Sequence, residues 1–146
     1  MKEIINFPEK KIISSYKYYS EYVDIKNQLL KQINHRELAD IIKEISNGIK
    51  KKQNIFSCGN GGSASTAEHL SCDFFKQSCN GTNLNIQVFS LNSNVSLMTA
   101  IANDISYDEI FSFQLNKYGS KKDILLLFSV SGSSKNIIKC AQTAKR

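Results

Sequence analysis

From residue 53 onwards, the sequence alternates short runs of β-forming residues with segments of helical pattern. Strands are predicted at residues 54–58, 85–91 and 123–129. Helices are predicted at residues 63–77, 95–102, 107–117 and 134–145. Strand–helix alternation favours parallel pairing, because each crossover returns the chain to the same end of the sheet. Residues 124–128 are all apolar, which is typical of a central strand covered on both faces. The pattern predicts an α/β fold with a doubly wound parallel sheet.

The first 52 residues show helical patterns only. Pro8 is expected to start a helix that runs to about Gln32, and Asn34 with Glu37 forms a capping-box-like start for a second helix. Apolar residues at helical spacing predict one buried stripe on that helix: Leu38, Ile41, Ile42, Ile45 and Ile49. We therefore divide the chain into an N-terminal helical segment, residues 1–52, and a sheet domain, residues 53–146.

Composition narrows the possible classes of protein. A chain of 146 residues with 41% apolar and 22% charged residues can bury one core. It shows neither a signal peptide nor an apolar run of about 20 residues, so we expect a cytoplasmic protein without a membrane partner. The four cysteines include no CxxC pair and are expected to be reduced: Cys58, Cys72, Cys79 and Cys140. The net charge is +6, but all except two of the 19 basic residues are lysine, which argues against a nucleic-acid partner.

The first predicted strand of the sheet ends in a glycine-rich segment, residues 59–65, which we call the glycine loop; it reads Gly-Asn-Gly-Gly-Ser-Ala-Ser. Glycines let a ligand approach the backbone, and the free N–H groups of the following helix favour anions. A tight turn without a ligand would also explain the glycines, and the pattern matches neither the Walker A nor the dinucleotide motif. The loop is a candidate site for a phosphate or sugar oxygen.

The last predicted strand ends in a serine-rich segment, residues 129–134, which we call the serine loop; it reads Ser-Val-Ser-Gly-Ser-Ser. Ser134 is explained as a helix N-cap, but Ser129, Ser131 and Ser133 exceed what capping requires. Hydroxyls and backbone N–H groups at a helix start can hold a phosphate. Because parallel strands end at the same edge of a sheet, we expect the two loops to form one pocket.

The helix after the glycine loop carries His69 and Asp73, four residues apart and therefore on one face. Such a pair can ligate one cation or act as a base with its neighbour, although an ordinary surface pair has the same spacing. Cys72 is expected to be buried. Asn103 and Asp104, between two helical segments, also fit an ordinary turn.

Taken together, these motifs resemble the phosphoheptose isomerases, which are enzymes with a SIS (sugar isomerase) domain. The matching segments are residues 58–63, 67–69, 100–104, 107–111, 129–134 and 136–139. Their order and spacing match over almost the whole chain. The resemblance implies a flavodoxin-like SIS domain and a homotetramer assembled through the N-terminal helices.

The resemblance also implies a reaction, the conversion of sedoheptulose 7-phosphate to D-glycero-D-manno-heptose 7-phosphate for surface polysaccharides. It implies a phosphorylated sugar as substrate and one zinc ion per subunit, with His69 and Asp73 as ligands and Asp73 as catalytic base and substrate contact. The other substrate-binding residues that it implies are Asn60, Gly61, Gly62, Asn103, Asp104, Ser129, Val130, Ser131 and Ser134.

The sequence departs from the family pattern in three places. Asp73 replaces a glutamate, Val130 replaces a threonine, and the sequence stops at Arg146, where the family continues through two strands and a helix that bring Gln and His to the metal. We therefore expect a C-terminally truncated chain whose strand at residues 124–128 lacks one neighbour. The alternative function is a non-catalytic SIS-domain binding protein, such as a replication-initiator-associating factor or a sugar-phosphate sensor.

Overall fold

The computed structural model describes residue 11 and residues 14–78 and 80–145. Pro8, Cys79 and Arg146 lie outside the described residues, so the expectations for them are not addressed. The chain divides into two compact units, the first ending at Ile42 and the second beginning at Lys43. The division of function at residue 52 stays a prediction.

The first unit contains helix α1, Ser15–Lys31, and the start of helix α2, His35–Lys50. The side chain of Asn34 accepts hydrogen bonds from the backbone N–H groups of Arg36, at 3.0 Å, and Glu37, at 3.4 Å. The Asn34 amide also donates to the Glu37 carboxylate at 2.8 Å. The predicted start of the second helix is therefore confirmed.

The predicted burial of the apolar stripe on α2 is wrong for its first half. Leu38, Ile41 and Ile42 are 43%, 52% and 56% exposed, whereas Ile45 and Ile49 are half-buried. Helical spacing specifies that apolar side chains share a face, but it does not specify what covers that face.

The second unit is built on a parallel sheet, as predicted. Strands β1, Ile55–Gly59, β2, Val88–Ser90, and β3, Ile124–Phe128, pair in the order β2-β1-β3. The remaining elements are helices α3, Gly62–Asp73, α4, Val95–Asp104, α5, Ser112–Tyr118, and α6, Lys135–Ala144, with a π-helical turn at Phe74–Ser78 and a 3₁₀ turn at Tyr107–Glu109. The strand–helix alternation thus places helices between successive parallel strands.

Among the described residues the central strand is β1, whose five residues are all buried. In the part of the chain that the structure describes, β3 pairs only with β1 and is half-buried at every position, so the prediction that it is central is wrong here. The expectation that a truncated chain leaves this strand without one neighbour stays a prediction. An all-apolar run indicates that the side chains on both faces of the strand are partly covered. It does not indicate how many strands pair with its backbone.

The core of the second unit packs the sheet against α4, α5 and α6. Its buried members are Phe56, Cys58, Leu91, Ile101, Ile110, Phe111, Leu115, Ile137 and Cys140. Cys58 and Cys140 are fully buried, and a hydrogen bond between them together with burial raises the pKa of the Cys58 thiol. Both are free cysteines.

Cys72, predicted to be buried, is exposed. The buried residue of α3 is Ala67, and a residue five positions further lies about 140° around the helix. The prediction failed because a cysteine's preference for burial is weaker than the orientation imposed by the helix. Within the described chain, no helix is both long and apolar enough to cross a membrane.

Candidate active site

The glycine loop and the serine loop leave the sheet side by side. Strands β1 and β3 run parallel, and their last residues, Gly59 and Phe128, are partners in the register. Each strand is followed by its loop and then by the start of a helix, α3 or α6. Both loops therefore leave the sheet at the same edge. The expectation that they form one pocket stays a prediction.

The glycine loop combines a tight turn with open backbone. A Cβ atom at Gly59 would lie 2.5 Å from the carbonyl group of Ser63, so only glycine lets α3 begin this close to the strand. Gly61 has a φ of +54°, a left-handed conformation that favours glycine. A Cβ atom at Gly61 or Gly62 would meet nothing within 4 Å. The backbone of these two residues is therefore open to a ligand.

The first N–H groups of α3 are paired inside the turn. The N–H of Ser63 donates to the carbonyl of Asn60 at 3.0 Å, and the N–H of Ala64 donates to the carbonyl of Gly61, also at 3.0 Å. The prediction that this helix start offers its free N–H groups to an anion is wrong for these two residues. The backward-folded turn at Gly61 satisfies them locally.

The serine loop is ordered by its own hydroxyl groups. Ser129 Oγ accepts from the backbone N–H of Gly132 at 3.0 Å, and Ser131 Oγ accepts from that of Ser133 at 3.3 Å. Ser134 is the N-cap of α6, but its hydroxyl makes no capping hydrogen bond within the described chain and lies 3.5 Å from Ser131 Oγ. The Ser134 hydroxyl is therefore not committed to closing the helix.

A pair of asparagine side chains joins the glycine loop to α6. Asn60 Nδ2 donates to Asn136 Oδ1, and Asn136 Nδ2 donates to Asn60 Oδ1, both at 2.9 Å. The hydroxyl of Tyr107 also donates to Asn60 Oδ1, at 3.1 Å. Asn136 is only 2% exposed. The two helix starts at this edge are thus bridged by polar side chains.

An ion pair fixes the 3₁₀ turn that carries Tyr107. The carboxylate of Glu109 accepts from Lys139 of α6 and from the hydroxyl of Ser112. The Lys139 hydrogen bond, followed by that from Ser112, lowers the pKa of Glu109. This contact holds the turn against α6, near the asparagine pair.

Asn92, just after β2, connects that strand to the glycine loop. Its Oδ1 accepts from the N–H of Gly59 at 3.1 Å, and its Nδ2 donates to the carbonyl of Gly59 at 2.9 Å. Asn92 also lines a cavity of about 640 Å³ with Ser65 and His69 of α3 and Val95 of α4. This cavity adjoins the carboxyl end of the sheet.

His69 and Asp73 share a face of α3, as their spacing predicted. His69 Nε2 lies 3.5 Å from Asp73 Oδ2, and the two side chains are 77% and 51% exposed. Of the two, only His69 lines the 640 Å³ cavity. Among the described residues, no cluster of three or more His, Cys, Asp or Glu side chains could hold a metal ion.

Asn103, Asp104 and Val130 neither line the 640 Å³ cavity nor take part in the asparagine pair. Asn103 donates to Asp104 at 2.8 Å in the last turn of α4, where both are exposed. Val130, at the tip of the serine loop, is 97% exposed. In the described part of the chain, no hydrogen bond ties Asn103 or Asp104 to either loop.

The sequence reasoning assigned no role to Asn136, Tyr107 or Asn92. A signal existed for Asn136, because it shares the helical core positions of Ile137 and Cys140. A polar residue at a core position indicates a buried hydrogen-bond partner, although it does not identify that partner. Nothing in the local sequence marks Tyr107 or Asn92 in the same way.

This architecture matches a known protein family. The family described as the SIS domain matches residues 17–146. The chain belongs to the SIS-domain family. The match covers both units of this SIS-domain chain, and it agrees with the resemblance inferred from the two loops.

Several curated relatives of this SIS-domain chain are phosphoheptose isomerases. A phosphoheptose isomerase from Thermodesulfovibrio yellowstonii is 39% identical over 137 residues, which are 89% of this chain and 64% of that protein. One from Helicobacter pylori is 40% identical over 100 residues, which are 66% of this chain and 50% of that protein. The chain therefore spans about half to two-thirds of the length of these curated relatives.

A solved structure supports the same fold. The phosphoheptose isomerase from Neisseria gonorrhoeae superposes with a TM-score of 0.76 at 28% identity, covering 89% of this chain and 66% of that one. The α/β SIS-type fold is therefore shared between the two proteins.

Proposed function

We propose that this SIS-domain chain serves an aldose–ketose isomerase that converts sedoheptulose 7-phosphate to D-glycero-D-manno-heptose 7-phosphate. The proposal rests on one observation: Gly59 and Phe128, the last residues of β1 and β3, are partners in the register, which sets the open glycine loop beside the serine loop. The names of the relatives support the same reaction. Because these relatives are named as isomerases, the non-catalytic alternative is not favoured.

In this proposal the serine loop binds the phosphate of the sugar. The hydroxyls of Ser129, Ser131 and Ser134 and the N-terminal turn of α6 supply hydrogen-bond donors and the positive end of a helix dipole. Val130 contributes through its backbone, because its side chain carries no donor. Binding energy from the phosphate fixes the reacting end of the sugar at a set distance.

The glycine loop receives the rest of the sugar. The open backbone at Gly61 and Gly62 allows sugar hydroxyls to approach closely, next to Asn60. Asn103 and Asp104 are proposed as further substrate contacts on the strength of the family resemblance alone. Both residues lie at the end of α4, so they can contact the sugar only if it extends to that helix.

Asp73 is the proposed base. The reaction moves the carbonyl group from C2 to C1, so a carboxylate must remove a proton from C1 and a proton must return to C2. An aspartate is one methylene shorter than the glutamate of the family pattern. A misplacement of about 1 Å can reduce the rate on the order of a hundredfold, so we expect slow turnover.

Zinc is the cofactor that the family resemblance implies, and His69 with Asp73 could supply two of its ligands. A catalytic zinc ion normally has three protein ligands. The described residues offer no cluster of three, so they do not complete a zinc site.

A homotetramer and a cytoplasmic location complete the proposal. The exposed stripe of Leu38, Ile41 and Ile42 on α2 offers apolar surface for association between copies of the chain. Size-exclusion chromatography with light scattering measures the assembly, and a strictly monomeric species at high concentration would refute the tetramer.

The proposed activity is tested by following aldoheptose phosphate formation from sedoheptulose 7-phosphate by NMR. We expect Asp73→Asn to lower turnover about a hundredfold or more while sugar-phosphate binding stays within a few-fold. Asp40→Asn, on exposed α2, is the matched control for the loss of one carboxylate. If a protein that also includes the C-terminal segment of the family pattern binds the sugar phosphate, but neither it nor its Asp73→Glu variant turns over, the isomerase proposal is wrong.

A further inference from the structure

We propose that Asn136 is a positioning residue, whose side-chain pairing with Asn60 fixes the glycine loop at a set distance from the serine loop. This inference rests on the proposed function, because the two loops are the parts that would hold the two ends of one sugar phosphate. Asn136 stands in the first turn of α6, directly after the serine loop. A change at Asn136 therefore acts on the substrate through another residue.

The hydrogen bonds leave the side chain of Asn60 little capacity for a ligand. An amide oxygen has two lone pairs, and Asn60 Oδ1 accepts from Asn136 at 2.9 Å and from Tyr107 at 3.1 Å. Asn60 Nδ2 has two N–H bonds, one of which donates to Asn136 at 2.9 Å. One N–H remains for a substrate. Asn60 therefore acts mainly as half of a bridge.

Asn136 is held more firmly than Asn60. It is 2% exposed, and its Oδ1 accepts from the backbone N–H of Ile137 at 2.9 Å as well as from Asn60. A buried amide that loses its partners carries a large desolvation penalty, so rotamers that break the pair are disfavoured. The bridge is thus anchored in α6, and the glycine loop is the part that it restrains.

A fixed distance matters because the substrate itself fixes one. The phosphate and the reacting carbons belong to one covalent chain, so an error in loop spacing displaces the reacting end of the sugar. Displacements near 1 Å can reduce rates on the order of a hundredfold. The asparagine pair couples the two loops without occupying the space between them.

Asn136→Asp is the most informative variant, because its carboxyl group can be switched by pH. As a carboxylate, it still accepts from Asn60 Nδ2, but its second oxygen faces Asn60 Oδ1, where two acceptors repel. As a neutral acid, it donates to Asn60 Oδ1 and restores the reciprocal pair. Burial favours the neutral form.

The readout is the ratio of the sedoheptulose 7-phosphate dissociation constants of variant and wild type, measured by calorimetry from pH 8 to pH 5. We expect binding to the variant to be about tenfold weaker at pH 8, with the ratio returning toward one as pH falls. Protonation of the ligand affects both proteins and cancels in the ratio. The titratable groups on the elements nearest Asn136 are Cys58, Tyr107, Asp108, Glu109, Lys117, Tyr118, Lys135, Lys139 and Cys140.

Asn85→Asp is the matched control, since it adds the same charge at an exposed position far along the chain. Its ratio should stay near one at every pH. A ratio for Asn136→Asp that is also near one throughout, or one that worsens as pH falls, would overturn the positioning role.

A second measurement needs no ligand, and so separates this inference from the proposed function. We expect Asn136→Ala to raise the backbone mobility of Gly61 and Gly62 in ¹⁵N relaxation, and Asn60→Ala and Asn136→Ala to be non-additive in unfolding free energy. Unchanged mobility in a folded Asn136→Ala protein refutes the bridge. If instead the loop loosens but the wild type binds no sugar phosphate, the bridge stands and the proposed function fails.

Discussion

The amino and carboxyl ends of the parallel strands differ in the groups that accept hydrogen bonds from the backbone. At the amino ends, the carboxylate of Asp123 accepts from the backbone N–H groups of Asn54, at 2.9 Å, and Ser120, at 2.8 Å. At the carboxyl ends, N–H groups are met by the small hydroxyls of Ser129 and Ser131, beside glycines that leave open space. One end is closed by a negative charge of the protein itself, and the other leaves room for a negative charge from outside.

The difference also has an electrostatic side. Burial of Asp123 opposes its ionisation, but the hydrogen bonds from Ser120 and Asn54 outweigh burial, and the pKa of Asp123 is lowered. Because the anion at the amino ends is the protein's own Asp123 carboxylate, these hydrogen bonds contribute to the stability of the fold. At the carboxyl edge no such carboxylate accepts from the serine loop among the described residues, so donors are left for function.

The sharpest test of this comparison uses two glycines of one loop. Gly59→Ala should lower the free energy of unfolding by about 3 kcal/mol or more, because its Cβ would lie 2.5 Å from the backbone of Ser63. Gly62→Ala should leave stability unchanged or raise it by up to about 1 kcal/mol, since it adds a better helix former in open space.

Urea unfolding measures both changes, and calorimetry with sedoheptulose 7-phosphate measures binding. We expect Gly62→Ala to weaken binding although the fold is intact. Equal stability losses for both variants would contradict the distinction between the packed and the open part of the loop.

Asp123→Asn tests the closed edge. Removing a carboxylate that accepts two backbone hydrogen bonds should lower the free energy of unfolding by about 2 kcal/mol, with no effect on sugar-phosphate affinity. Chemical denaturation of this variant beside Asp40→Asn, an exposed control, gives the comparison. A loss of affinity without a loss of stability would show that the two edges are not independent.

The pH dependence of stability should come partly from the same carboxylate. The pKa values of Asp123 and Glu109 are lowered in the folded state, so the unfolded chain takes up protons first as pH falls. Their contribution is complete above about pH 5 and is lost as pH falls through 4 and below. Urea midpoints from pH 7 to pH 3 should fall less steeply for Asp123→Asn than for the wild type, and parallel curves would argue against this assignment.

The smallest expected effect is that of Glu109→Gln. Its partner Lys139 is 46% exposed, so screening by water limits the loss of unfolding free energy to about 1 kcal/mol or less. Circular dichroism during urea unfolding is sufficient to detect it. A change as large as that for Asp123→Asn would mean that the ion pair governs the position of the 3₁₀ turn.

Most of the fold could be predicted because its elements are determined by short stretches of sequence. Runs of β-forming residues and the helical spacing of apolar residues located the strands and helices, and Asn34 with Glu37 marked the start of α2. The proximity of the two loops followed from parallel pairing. These inferences need only neighbouring residues and a general rule of topology.

The rest depended on contacts between distant residues. The partner of Asn136 is 76 positions away, and no local pattern specifies it. The exposure of Cys72 and of Ile41 depended on which neighbours cover a helix face. Such outcomes are set by packing, which a single sequence does not display.

The buried contact between Cys58 and Cys140 gives the protein an internal reporter. The two sulfur atoms lie on β1 and α6, the elements that carry the two loops. A thiol reagent can reach them only when these elements separate, and the raised pKa of Cys58 slows its reaction further. Their labelling rate therefore measures how often β1 and α6 separate.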